Sequence, residues 1–241
     1  MIKKSLQLIL LVLSFSTVGA QTIDTFFEQT DEFLKKNVDL NGKINYASLK
    51  KSPGELLYIL DNASNLNTNF EDKNTAKAFW INMYNLQVIK GVLDGYHIKS
   101  VNEISGFFKE KTFVLNKKNI TLFDIETIIL PEIQKDACIH FVLFTASNGG
   151  VVLMNGAFLP KTVNDQIKQQ TKLFINNKNI VKIDTKNKLL DLPKIFEWYN
   201  SEFVSYFGNE IDFLNIFLDK KLENNLVIRT YNFDWSLNEK I

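Results

Sequence analysis

Cysteine is nearly missing from this chain. Of 241 residues only Cys138 is a thiol, so no internal disulfide can form. Flanked by Ala137 and Ile139, that thiol is expected to be a small packed residue rather than a reactive one. Imidazole is almost as scarce. His97 and His140 lie far apart in sequence, so no zinc site of ordinary spacing, and no other cofactor, is expected. An excess of one charge is missing too. Without Lys3 and Lys4 the formal charge of +1 becomes −1, which gives no electrostatic case for nucleic acid or an anionic membrane. The lysine pairs in "FLKK", "LKKS" and "LDKK" are short runs suited to solvated helix ends.

Long apolar runs are absent except near the start. Leu6–Val18 follows Lys3 and Lys4 and precedes Val18-Gly19-Ala20, the order of a secretory signal peptide with Gln21 as first mature residue. The run is shorter than the roughly 20 apolar residues of a membrane span, so no transmembrane segment is expected. No cysteine follows the cleavage site to carry a lipid. The expectation is therefore a signal peptide over 1–20 and an exported protein, periplasmic or secreted. The remaining 221 residues suffice for one domain with a sizeable core, read as 21–241 with a helical extension over about 21–40.

Periodicity predicts mostly helices. Ala76–Leu93 is apolar nearly all round, as expected of a central buried helix ended by Asp94-Gly95. Helices are also predicted for Ile23–Lys36, Val163–Ile175, "PKIFEWYNSEFVSYF" and "EIDFLNIFLDKKLE", the aromatics of the last two being read as core. Two hairpins are predicted, in "KTFVLNKKNITLF" and "NIVKIDTKNKLLDL". Thr121 is placed to cap "LFDIETIIL". Cys138–Phe144, apolar and rich in β-formers, is predicted to be a buried strand, and "NLVIRTY" a final one. Together these indicate an α+β fold: one mostly helical domain with a small antiparallel sheet built from hairpins.

Three constellations could carry chemistry. Asn82 and Asn85, three apart, share a helix face and either orient a substrate or hold loop backbone, with Tyr84 beside them. Glu126 sits among isoleucines, where a carboxylate can serve as acid or base, as a paired structural charge, or face solvent. "HFVLFTASNGGVVL" ends in a small-residue turn containing Thr145, Ser147 and Asn148. In a regular strand His140 and Thr145 would point to opposite faces, which argues against their acting as base and nucleophile.

These segments resemble one family in order. "GKINYASL", "AKAFWINMYNLQVIKGVL", "LFDIETIIL", "IHFVLFTASNGGVVL" and "YNFDWSLN" are each similar to motifs of the DUF547 proteins, over about Asn41 to Asn238. The resemblance implies a papain- or transglutaminase-like comparison, because the family pattern carries a cysteine and a histidine. Here the cysteine position is Thr145, the histidine position Thr127 and a second cysteine position Gly150. Without thiolate or imidazole at those positions, the resemblance implies a degenerate member. The expected function is a non-catalytic binding or accessory module for a small molecule or peptide, with Asn82, Tyr84, Asn85 and Asn148 as binding residues. The alternative is a hydrolase or transferase using Glu126, Ser147 or His140 in the same cleft. The sequence leaves the oligomeric state open.

Overall fold

The computed structural model describes residues 22–240, and the expected signal peptide falls outside the described residues. The chain opens with α1 (Ile23–Asn37), capped by the Thr22 hydroxyl, α2 (Tyr46–Lys51) and α3 (Gly54–Ala63). Phe26, Phe27, Phe33 and Leu34 of α1 belong to the same apolar cluster as the rest of the chain. Next comes α4 (Lys73–Gly95), whose first turn is capped by Asp72 accepting from Thr75 N at 2.7 Å. It is buried almost all round from Ala76 to Leu93, as its periodicity predicts.

A hairpin follows, β1 (Thr112–Leu115) with β2 (Lys118–Thr121), turning at Asn116 and Lys117. Both turn residues take positive φ, 47° and 62°, as a two-residue hairpin turn requires. Thr121 then forms a reciprocal cap with Asp124 at the start of α5 (Leu122–Asp124). The helix loosens into a π turn, Ile125–Ile129, and continues as α6 (Leu130–Ile133). Such wide turns insert a residue and re-aim side chains, often at functional sites.

Cys138–Phe144 is not a strand. Ala137–Phe141 is a 3-10 helix capped by Asp136, followed by an irregular stretch. Its backbone is not paired with a neighbouring strand. Instead the Asn85 side chain takes two of its groups: Nδ2 donates to Val142 O at 3.1 Å, and Phe144 N donates to Oδ1 at 2.9 Å. One buried amide thus replaces two rungs of a ladder, which lets an apolar run be buried without being extended.

α7 (Val163–Ile175) follows, then β3 (Lys182–Asp184), β4 (Leu189–Pro193), α8 (Ile195–Trp198), α9 (Asn200–Phe207), α10 (Glu210–Phe217) and β5 (Val227–Tyr231). β3 and β4 form the second predicted hairpin, but β5 joins β4 in parallel. The sequence reading of hairpins alone therefore missed one crossover, in which α8–α10 return the chain to its sheet. Phe141 packs among Phe196, Phe203 and Phe213, which locks the 3-10 segment against that crossover. The fold is an α+β domain, and no described helix is long and apolar enough to cross a membrane.

Candidate functional site

The lock at Phe141 leaves its neighbour His140 facing the other way, toward the π turn and α9. His140 Nε2 donates to Glu202 Oε2 at 3.1 Å. Its Nδ1 stands 3.5 Å from Glu126 Oε1 and has no hydrogen-bond partner. The Tyr199 ring lies flat on the imidazole, centroids 3.5 Å apart at 14°, and its hydroxyl donates to Glu126 Oε1.

The electrostatics follow from burial and these partners. Burial alone favours neutral imidazole, but Glu126 and Glu202 outweigh it and hold the His140 pKa above its ordinary value. The bond from His140 keeps the Glu202 carboxyl below its usual range. Burial, then the charge of Glu126, pushes the Tyr199 and Tyr84 hydroxyls well up, so both stay protonated donors.

The small-residue turn lies next to this cluster. Ala146 turns the chain at φ 53°, in the left-handed region. On either side of it Thr145 Oγ1 and Ser147 Oγ share a hydrogen bond at 2.7 Å. Gly149 and Gly150 are dictated by close approach. A β-carbon on Gly149 would come within 2.5 Å of Asp234 N, and one on Gly150 would collide with Thr145 Oγ1 and stand 2.9 Å from Ser147 Oγ. The turn is sutured to the chain's last described stretch: Asn148 N donates to Ser236 O, Gly149 N to Asp234 O and Asn238 N to Ala146 O. The "DWSLN" residues are therefore a strap on the turn. Asn238 also accepts from the Tyr46 hydroxyl at 2.9 Å and donates to Gly42 O at 2.9 Å.

Between the polar cluster, the turn and the strap lies an open cleft of about 430 Å³, within the size range of small-molecule sites. Tyr84, Glu126, Thr127, His140 and Thr145 all line it. The expectation that His140 and Thr145 face apart assumed a regular strand and is overturned, because the 3-10 turn brings both to one cavity. Thr127 is exposed, and its hydroxyl donates to Phe123 O at 2.8 Å within its own helix.

Four residues proposed from sequence do not line the cleft. Asn82 is fully buried and clasps Phe158, donating to its O at 2.8 Å and accepting from its N at 2.9 Å. Asn85 is committed to Val142 and Phe144. Asn148 donates to Ser236 Oγ and Leu237 O and accepts from Lys43. Ser147 is buried at 3 % exposure and faces Thr145.

Sequence reasoning missed much of the wall. Trp198, Tyr199, Phe233 and Trp235 line the cleft, though the aromatics of "FEWYN" were read as core. No local signal marks them: the single helix predicted for "PKIFEWYNSEFVSYF" stops at Trp198 and restarts at Asn200 in the structure, and that break turns the two rings toward the cleft. Cys138 is buried, and burial pushes its thiol up to about 12, as an inert packed residue requires. Among the described residues no cluster of three or more His, Cys, Asp or Glu is placed to hold a metal.

Comparison with known proteins gives one match. Residues 68–175 match the family model described as "Protein of unknown function, DUF547". No curated protein and no solved structure matches the chain.

Proposed function

From the premise that the chain is a DUF547 domain-containing protein, we propose that it is an exported binding module whose cleft holds a small molecule or peptide without cysteine-type catalysis. The observation that carries this reading is the pairing of the hydroxyls. Thr145 Oγ1 is bonded to Ser147, Thr127 Oγ1 to its own helix, and the His140 ring is engaged by Glu202 and faces Glu126. A hydroxyl nucleophile needs an adjacent base to accept its proton. None of these pairs supplies one, and buried Ser147 is out of a substrate's reach. The aromatic wall supports a binding role instead, since concave, mostly apolar sites with a few convergent polar groups are how small ligands are held. Export rests on the charge, apolar run and small-residue order of residues 1–20.

Trp198 and Trp235 report on the cleft directly. Addition of a neutral apolar fluorescent probe such as N-phenyl-1-naphthylamine should quench tryptophan emission. The double variant Trp198→Ala, Trp235→Ala should lose the response. Ester and peptide substrates should show no turnover. Turnover abolished by His140→Gln or Glu126→Gln would overturn the non-catalytic reading. Amino-terminal sequencing of the exported protein should begin at Gln21.

A further inference from the structure

The floor of the cleft narrows the ligand further, and this step rests on the binding reading above. Glu126 accepts a hydrogen bond from the Tyr199 hydroxyl, and its side chain remains 16 % exposed. An ionised carboxylate offers about four acceptor sites, so most of its capacity is open. Beside it, His140 Nδ1 is buried and unpartnered. Nδ1 faces the Glu126 carboxylate at 3.5 Å and is too deeply buried for a ligand to reach. The acceptor open to the cleft is therefore Glu126.

Charge points the same way. With Glu126 and Glu202 ionised, this cluster is net negative whether His140 is neutral or protonated. The cation on the cleft lining, Lys109, is exposed and engaged with the Phe123 ring, Nζ 5.4 Å from its centroid. Above the floor the wall is aromatic: Trp198 packs against Phe233 at 5.1 Å and Trp235 at 5.8 Å, yet stays 44 % exposed. Aromatic faces attract organic cations and apolar bodies alike.

We propose that the cleft takes a primary organic ammonium. Its apolar body lies against Trp198, Phe233 and Trp235, and its –NH3⁺ donates to the exposed part of Glu126. An ammonium supplies three donors and a positive charge, which suits the open acceptor sites of the Glu126 carboxylate.

The test uses three ligands of one shape: 2-phenylethylamine, 2-phenylethanol and 3-phenylpropanoate. Each is titrated into the full chain at low salt and neutral pH, with tryptophan emission and calorimetry as readouts. The amine should bind at least about tenfold tighter than the other two, as a charge-assisted bond implies. Glu126→Gln should remove that preference, while Trp198→Ala should weaken all three. If the alcohol or the acid binds as well as the amine, or Glu126→Gln keeps the preference, the ammonium assignment is overturned and the binding reading stands. If none of the three binds, the assignment also falls, and the response to the neutral N-phenyl-1-naphthylamine probe then decides whether the binding reading falls with it. Should Glu126→Gln fail to fold, the wild-type ranking of the three ligands decides alone.

Discussion

Two polar regions flank the same stretch of chain, and they are built differently. Behind Val142–Phe144, the amides of Asn82 and Asn85 are buried and fully used, each giving one bond and taking one from loop backbone. In front of it, Glu126 keeps acceptor capacity and His140 Nδ1 has no hydrogen-bond partner among the described residues. Buried polar groups cost free energy unless paired, so full pairing marks scaffold and spare capacity at a cavity marks a place for something else. The asparagine motif, the most distinctive feature of the sequence, thus holds the site together without entering it.

Breaking the scaffold should give the largest effect. Asn85→Ala orphans Val142 O and Phe144 N, and at about 1–3 kcal/mol per buried group should cost roughly 2–6 kcal/mol in urea unfolding. A loss below about 1 kcal/mol would place the amide's role elsewhere. Re-equipping the cleft is the next largest change. Thr145→Cys combined with Thr127→His should make a thiol of depressed pKa, reacting several-fold faster with a thiol reagent at neutral pH than Thr145→Cys alone. Buried Cys138 stays silent in that assay. Equal rates would mean that the two positions do not face each other.

The cleft floor should also respond to pH, by less than about 1 kcal/mol because Glu202 is 42 % exposed and screened. The raised His140 pKa contributes stability that is full below its ordinary 6.5 and lost as pH climbs through the raised value. The lowered Glu202 pKa contributes stability that is full above its ordinary 4.5 and lost as pH falls through the depressed value. Their mutual contribution is therefore largest between those two pH values. Relative to His140→Gln, the wild-type unfolding midpoint should decline from pH 6.5 to pH 9, and parallel curves would remove the coupling. Smallest of all, Ser147→Ala removes one hydroxyl pair and should cost about 0.5–1 kcal/mol without altering probe binding. A change in binding would bring Ser147 into the ligand's contact set.

The parts of this fold read from sequence are those whose signals are local. The α4 periodicity, the Thr121 cap and the β1–β2 turn each need only neighbours within a few residues. Cys138–Phe144 was misread because apolar, β-branched content reports burial, and only the remote Asn85 amide determines that the buried run is not extended. The site was half legible for the same reason. Glu126, His140 and Thr145 carry chemistry in their residue type, whereas Tyr199 and Trp235 acquire a role only when the crossover and the strap bring them to the cleft. Parallel pairing of β5 with β4 has no signature in either strand alone.

The Thr145 hydroxyl fills the volume that a side chain at 150 would need. A side chain introduced at 150 while Thr145 stays bonded to Ser147 begins with a collision. With the hydroxyl at 145 removed it meets Ser147 Oγ alone, at 2.9 Å. Substitutions at 145 and 150 are therefore coupled, and the order in which they are introduced decides how strained the intermediate is.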